Sequence, residues 1–236
     1  AYSCGKPALG VGAGNVPAYV EKSANIRQAA HDIVMSKSFD NGMVCASEQA
    51  VIIDKEVYDE FVEEFKSYHT YFVNKKEKAL LEEFCFGAKA NSKNCAGAKL
   101  NPDIVGKPAT WIAEQAGFSV PEDTNILAAE CKEVGEKEPL TREKLSPVIA
   151  VLKSESREDG VEKARQMVEF HGLGHSAAIH TADEELTKEF GKAVRAIRVI
   201  CNSPSTFGGI GDVYNAFLPS LTLGLSLIHI SEPTRP

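Results

Sequence analysis

One cysteine stands in a local sequence that suits a nucleophile. Cys45 lies in the segment SKSFDNGMVCASEQ (residues 36–49), shortly after the turn signal Asp40-Asn41-Gly42. A cysteine that follows a helix and a glycine turn can keep its thiol within reach of a substrate, with nearby backbone N–H groups free to hold an oxyanion. A single cysteine is more often a small buried hydrophobic residue. The residues alone leave both interpretations open.

The elements that must position Cys45 are predicted as alternating helices and strands. Apolar residues recur at helical spacing over residues 26–34, and a β-branched run at 50–53 predicts a strand directly after the cysteine. Residues 8–20 predict two strands around a glycine turn. Further helices are predicted at 57–65, 75–84, 109–116, 160–170 and 183–194, and further strands at 126–129, 148–152, 177–180 and 197–201. This alternation is typical of an α/β domain with a largely parallel sheet flanked by helices.

The composition excludes several classes of function. The chain has 236 residues, of which 43% are hydrophobic and 25% charged, as in ordinary soluble domains. A net charge of -7 argues against a nucleic-acid partner. No apolar run approaches the ~20 residues that would span a membrane. The six cysteines form no CxxC pair, and no spacing of His, Cys and carboxylates suggests a metal site, which predicts a reduced, cytoplasmic protein without a metal.

Four further segments accompany residues 36–49 in a recognisable order. They are GVGAGNVP (residues 10–17), REKLSP (142–147), GLGHSAAIH (172–180) and NSPSTFGGIGDVYN (202–215). Together the five segments resemble the CoA-acylating branch of the aldehyde dehydrogenase superfamily, and most closely the aldehyde dehydrogenase half of bifunctional aldehyde-alcohol dehydrogenases. The likeness runs from Ala1 to Gly224. It implies the fold of that family's catalytic domain.

The resemblance implies a role for three residues. Cys45 would attack an aldehyde as thiolate, NAD would take the hydride, and coenzyme A would accept the acyl group from the resulting thioester, so that acetaldehyde, CoA and NAD give acetyl-CoA and NADH reversibly. Glu143 would contact the nicotinamide ribose, although alone it is also typical of a solvated acid in a charged loop. His175 would take a proton from Cys45 or the CoA thiol. The alternative for His175, and the interpretation we favour for His180, is a structural histidine hydrogen-bonded to backbone.

The glycine-rich segments lack two features, a dinucleotide-binding motif and the acid of hydrolytic relatives. Neither GVGAGNVP nor GGIGD (residues 208–212) has the GxGxxG dinucleotide spacing, and the resemblance implies that GGIGD is a tight loop on the active-site wall. Hydrolytic relatives carry a water-activating glutamate in the segment that matches GVGAGNVP. Counted without gaps from Cys45, that position is Val11, and no acid occurs from Ala1 to Val20. The thioester is therefore expected to persist until coenzyme A arrives.

The same resemblance sets the expected domain organisation. Residues 1–224 would be an aldehyde dehydrogenase catalytic domain truncated at both ends, without most of the cofactor-binding domain. Residues 225–236 (LSLIHISEPTRP) resemble a translated sequencing adapter and are interpreted as a scar. We therefore expect the isolated chain to lack the complete activity. The parent enzyme is expected to act on a small aldehyde and an acyl-CoA and to form a homo-oligomer that can extend into a filament.

Three alternatives remain open from the sequence. The first is a monofunctional acylating dehydrogenase for succinate semialdehyde or another aldehyde. The second is a hydrolytic aldehyde dehydrogenase, which would need an acid from elsewhere in the chain. The third is an inactive fragment that keeps only assembly surfaces, in which Cys45 would be inert.

Overall fold

The fold is an alternation of helices and parallel strands. The computed structural model describes residues 13–87, 99–211, 215–216 and 218–219. Within these ranges the strands are β1 (Val16–Val20), β2 (Glu48–Asp54), β3 (Thr70–Phe72), β4 (Ile126–Cys131), β5 (Val148–Ser154), β6 (Ser176–His180) and β7 (Arg198–Cys201). The helices are α1 (Ile26–Ser38), α2 (Tyr58–Ser67), α3 (Lys75–Phe86), α4 (Ala109–Ala116), α5 (Arg157–His171), α6 (Glu184–Ala193) and α7 (Ser205–Ile210). No helix in the described ranges is long and apolar enough to cross a bilayer.

The seven strands form one sheet in the order β3-β4-β5-β2-β1-β6-β7. Every neighbouring pair is parallel. All residues of β1 and β2 are buried, as expected for central strands covered on both faces. The predicted α/β fold with a parallel sheet flanked by helices is therefore confirmed.

Two apolar layers cover the two faces of the sheet. On one side α1 and α2 pack against the sheet through a core that includes Ile33, Phe61 and Phe65. On the other side α3, α4, α5 and α6 cover a core that includes Tyr19 and Phe190. The alternation along β2 separates the layers, since Val51 and Ile53 belong to the first and Ala50 and Ile52 to the second. The sheet is thus held rigidly from both sides.

Most predicted elements are present, and two are additional. The chain also forms β3 and α7, which the sequence pattern did not predict. Both are short, at three and six residues, so neither contains a full repeat of an apolar pattern. The prediction that GGIGD is a loop is wrong for Gly208–Ile210, which end α7. The first strand predicted within residues 8–20, Val11, and the tail 225–236 lie outside the described residues.

Candidate active site

The sequence-predicted side chains converge at one edge of the sheet. Gly14 directly precedes β1, Cys45 precedes β2, Glu143 precedes β5, and His175 precedes β6. These four strands are neighbours in the order β5-β2-β1-β6. Because parallel strands all begin at the same edge, the four loops meet there. Ligands of open α/β sheets usually bind at the carboxyl edge, so this amino-edge site departs from the common arrangement.

The turn before Cys45 is built on left-handed backbone. After α1 ends at Ser38, a short 3-10 turn (Phe39–Gly42) places Asp40, Asn41 and Gly42 at φ of 49°, 49° and 68°. A Cβ on Gly42 would lie 2.5 Å from the carbonyl oxygen of Ser146, so a larger residue would displace that backbone. The predicted turn at residues 40–42 is confirmed, and it aims the following residues at the amino edge.

Gly14 is the point where the candidate residues meet. Its backbone N–H donates to Glu143 Oε1 at 3.0 Å. A Cβ built on Gly14 would lie 2.7 Å from the carbonyl oxygen of Cys45 and 3.1 Å from Nε2 of His175. Only a residue without a side chain lets these three loops approach so closely. The structure therefore brings Cys45, Glu143 and His175 together around one glycine, which the sequence marked only as part of a glycine-rich segment.

The electrostatic surroundings of Cys45 act in opposite directions. Its side chain is half-buried, and the four cysteines of the described ranges are all free thiols. Burial raises the pKa of Cys45, and the nearby Glu143 carboxylate raises it further. The backbone N–H groups of Cys45 and Ala46 and the guanidinium of Arg198 lower it, because each favours the thiolate. The same N–H groups are suitable donors for an oxyanion formed at the thiol.

The two histidines of the segment GLGHSAAIH behave alike electrostatically. His175 and His180 are both buried, and burial lowers the pKa of each to about 4. Both are therefore neutral at physiological pH. Neither ring nitrogen of His175 has a hydrogen-bond partner among the described residues, although both nitrogens are buried. This disagrees with the interpretation of His175 as a histidine held by backbone, while His180 lies in β6 away from the Gly14 contact.

The loop that carries Glu143 is anchored by a buried lysine. The ammonium group of Lys144 donates to the carbonyl oxygens of Gln49, Leu140 and Arg142 at 3.0, 2.6 and 2.7 Å. Its backbone N–H donates to Gln49 Oε1 at 3.0 Å. Three acceptors match the three N–H bonds of an ammonium, although burial lowers the pKa of Lys144 to about 7. The Glu143 loop is therefore fastened to β2, and it is not the simply solvated charged loop that composition alone would allow.

Replacing Lys144 with methionine is expected to lower the free energy of unfolding by about 3 kcal/mol, because three buried carbonyls lose their donor. Chemical denaturation followed by circular dichroism measures this change. The matched control is Lys188→Met in α6, where the lysine is exposed and pairs only with Glu185. That change is expected to stay within about 0.5 kcal/mol. Equal stability losses in the two variants would contradict the anchoring role.

The short helix α7, which comes late in the sequence, packs beside the candidate site. The N–H of Ser205 donates to buried Glu48 Oε1 at 3.0 Å, and the N–H of Thr206 donates to Ser36 Oγ at 2.9 Å. Burial raises the pKa of Glu48 to about 7. A Cβ on Gly209 would lie 2.7 Å from Cβ of Ala46, so α7 packs directly on the nucleophile loop. The glycines of GGIGD thus serve close helix packing, a role that their spacing did not reveal.

A second concave region lies away from these residues. A cleft of about 1050 Å³ opens beyond the carboxyl ends of the strands, where its lining includes Tyr58, Lys78, Cys131 and Lys153. Lys78, within it, pairs with Glu138 at 2.5 Å. None of the residues around Gly14 lines this cleft. The candidate residues around Gly14 therefore lie apart from this cleft, at the amino edge.

One known protein family matches most of the chain. The model of the aldehyde dehydrogenase family matches residues 4–212. The chain is 95% identical over 224 residues to an aldehyde-alcohol dehydrogenase of Streptococcus pneumoniae, a match that covers 95% of this chain and 25% of that protein. The chain therefore spans about a quarter of the length of this curated relative.

Solved structures resemble the chain in the same region. An acetylating aldehyde dehydrogenase from Geobacillus thermoglucosidasius is 42% identical, with a TM-score of 0.84, and the match covers 96% of this chain and 48% of that one. A Rhodopseudomonas palustris propionaldehyde dehydrogenase, solved with bound CoA and an acylated cysteine, is 28% identical with a TM-score of 0.76. That match covers 89% of this chain and 45% of the other.

Proposed function

Since the chain belongs to the aldehyde dehydrogenase family, we propose that it carries the nucleophile of a CoA-acylating aldehyde dehydrogenase, with Cys45 as the acyl carrier. The observation that supports this most strongly is the meeting of Cys45, Glu143 and His175 at Gly14. The overall reaction would convert acetaldehyde, CoA and NAD into acetyl-CoA and NADH, and run in reverse. The similar propionaldehyde dehydrogenase with CoA and an acylated cysteine supports the acyl-carrier role.

We propose that the half-reaction with acetyl-CoA uses the following residues of this chain. The Cys45 sulfur, as thiolate, attacks the thioester carbonyl and forms a tetrahedral adduct whose oxyanion the backbone N–H groups of Cys45 and Ala46 can hold. The bond between the carbonyl carbon and the CoA sulfur then breaks. CoA leaves as thiolate and takes up the proton that Cys45 lost. One acetyl group is thereby transferred from one sulfur to another without any change in oxidation state.

His175 is a described group at the same edge of the sheet that could carry this proton. Its ring nitrogens have no partner among the described residues and one of them faces Gly14 at the centre of the site. A pKa near 4 makes it neutral before the reaction and a weak base during it. We propose that His175 accepts the proton transiently and returns it to the CoA sulfur.

The surroundings of Glu143 suit its proposed contact with the ribose of a nicotinamide cofactor. Its Oε1 is taken by the Gly14 N–H, and Oε2 has no partner among the described residues. A carboxylate oxygen held in this way is a suitable acceptor for ribose hydroxyl groups. A nicotinamide cofactor, when bound, supplies the hydride acceptor for aldehyde oxidation. NAD as that cofactor stays a prediction, as do the cytoplasmic location and the homo-oligomer.

A hydrolytic function has one observation in its favour. Glu143 lies close enough to Cys45 for its charge to raise the thiol pKa, and burial raises the pKa of Glu143 itself. A carboxylate in that position can also activate water. The lifetime of the acyl-enzyme distinguishes the two functions, because a water-activating base would shorten it.

The test is acylation of the chain by acetyl-CoA, followed by intact mass and by mapping of the modified peptide. We expect one hydroxylamine-sensitive acetyl group on Cys45 that persists in buffer and is removed when free CoA is added. An adduct that hydrolyses at once would favour the hydrolytic function. The absence of an adduct on Cys45, or acetylation spread evenly over the exposed thiols, would overturn the proposal for this chain.

A further inference from the structure

Arg198 is placed at the amino edge by its position in β7. It is the first residue of that strand and pairs in register with Ser176, which directly follows His175. Strand β7 lies next to β6 at the side of the sheet that carries the candidate site. The side chain therefore starts from the same edge as Cys45 and His175, although no sequence pattern pointed to it.

The guanidinium of Arg198 reaches toward the nucleophile loop. A Cβ built on Gly209 would lie 2.8 Å from Nη1 of Arg198 and 2.7 Å from Cβ of Ala46. The Arg198 guanidinium and Ala46, the residue next to Cys45, therefore both pack closely against Gly209. The charge interaction between Arg198 and Cys45 is mutual, since the Cys45 charge raises the pKa of Arg198 and the guanidinium lowers that of Cys45.

The charge of Arg198 has no carboxylate partner in the part of the chain that the structure describes. Within the described residues it forms no ion pair with a carboxylate, whereas Arg157 and Arg165 each contact two acids. Its side chain is half-buried, and burial lowers its pKa. A partly desolvated cation without an anion is unfavourable. An anion that forms during the reaction, at a position that the guanidinium reaches, would complete this site.

Among the charged and titratable groups that the structure describes around Cys45, Arg198 is the cation that can do this. Glu143, before β5, is an anion and opposes the thiolate. His175, before β6, is neutral. Gly14, before β1, adds only its backbone. Lys37 and Lys144 are fully buried, and their charges act on Glu143.

We propose that Arg198, whose guanidinium packs against Gly209 beside the nucleophile loop, is the residue that stabilises negative charge on Cys45. Arg198 acts through its charge on the nucleophile, offsetting the carboxylate on the other side of the thiol. The inference deepens the proposed function, because it concerns the same nucleophile. It requires neither CoA nor an aldehyde, and so it is testable apart from acyl transfer.

The test measures the rate at which iodoacetamide alkylates Cys45 between about pH 6 and 10.5, by quantifying the Cys45 peptide. Arg198→Gln is expected to raise the midpoint of this profile by about one pH unit, since an opposite charge within a few ångströms shifts a pKa by that order. Arg198→Lys keeps the charge and is expected to restore most of the shift. Arg165→Gln, on the solvent side of α5, is the matched control and should leave the midpoint unchanged.

Two results would overturn the proposal. One is an unchanged midpoint in Arg198→Gln. The other is an equal shift in Arg198→Lys and Arg198→Gln, which would assign the effect to packing. If Arg198→Gln does not fold, the Arg198→Lys variant provides the test. We expect its alkylation midpoint to stay close to that of the wild type. A shift of about one pH unit in Arg198→Lys would contradict the charge role. A chain that shows the Arg198 effect but no acetyl adduct would separate this inference from the proposed acyl transfer.

Discussion

Replacing Cys45 with alanine is expected to slow acyl transfer from acetyl-CoA to the chain by on the order of 10³-fold or more, because the nucleophile itself is removed. The other described thiols do not substitute for it. Cys85 and Cys131 are buried, and burial raises the pKa of each to about 12. Intact mass recorded over time after addition of acetyl-CoA measures the rate.

The matched control for this variant is Cys201→Ala. Cys201 is exposed and ends β7, so it is reachable but lies at the opposite end of its strand from Arg198. We expect that variant to acylate at the wild-type rate. Equal acylation of Cys45→Ala and wild type would show that the adduct forms elsewhere, and Cys45 would then not be the acyl carrier.

Replacing Gly14 with alanine is expected to slow acylation about 100-fold, even though Gly14 performs no chemistry itself. The new Cβ would stand 2.7 Å from the Cys45 carbonyl oxygen and 3.2 Å from Cδ2 of His175, so the backbone of the nucleophile loop has to move. Displacing a reacting group by about 1 Å can cost two orders of magnitude in rate. Overpacking of this kind also costs about 1–3 kcal/mol of stability. The acetyl-CoA assay and thermal unfolding measure the two effects separately.

Gly191→Ala provides the comparison for Gly14→Ala. Gly191 lies in α6, and a Cβ there meets no heavy atom within 4 Å. Since alanine favours helix over glycine by up to about 1 kcal/mol, that variant should be as stable as the wild type or more so. Its acylation rate should not change. A Gly14→Ala chain with the wild-type rate and the wild-type melting temperature would mean that the three loops are not held as closely as described.

The sequence indicated Cys45 as a candidate nucleophile, and its place at the amino edge of the sheet follows from the strand that comes after it. Cys45 follows a helix and the turn at residues 40–42, and a buried strand begins three residues later. In a parallel sheet, any residue just before a strand lies at the amino edge. Once the strands are predicted, Cys45, Glu143 and His175 therefore share an edge. Their roles still depended on the resemblance, because acids and histidines before strands are common.

The remainder of the site could not be predicted from local patterns. Arg198 and Lys144 are cations in segments with ordinary charge, and only the packing of distant loops buries them. Helix α7 is held by Ser36 and Glu48, which lie about 160 positions earlier in the chain. Its six residues contain two glycines, which favour loop over helix when tertiary contacts are not considered.

The long separations within the site determine when during synthesis it can form. The hydrogen bond between Gly14 and Glu143 spans 129 positions, and that between Ser36 and Thr206 spans 170. At ordinary translation speeds of about 5–20 residues per second, Cys45 is made roughly ten to thirty seconds before Thr206. During that interval the nascent chain carries Cys45 without α7, which is the last of the elements around it to be made. The complete surroundings of Cys45 are therefore among the last features of the described fold to form, and chaperones that act on the growing chain meet this thiol before α7 covers its loop.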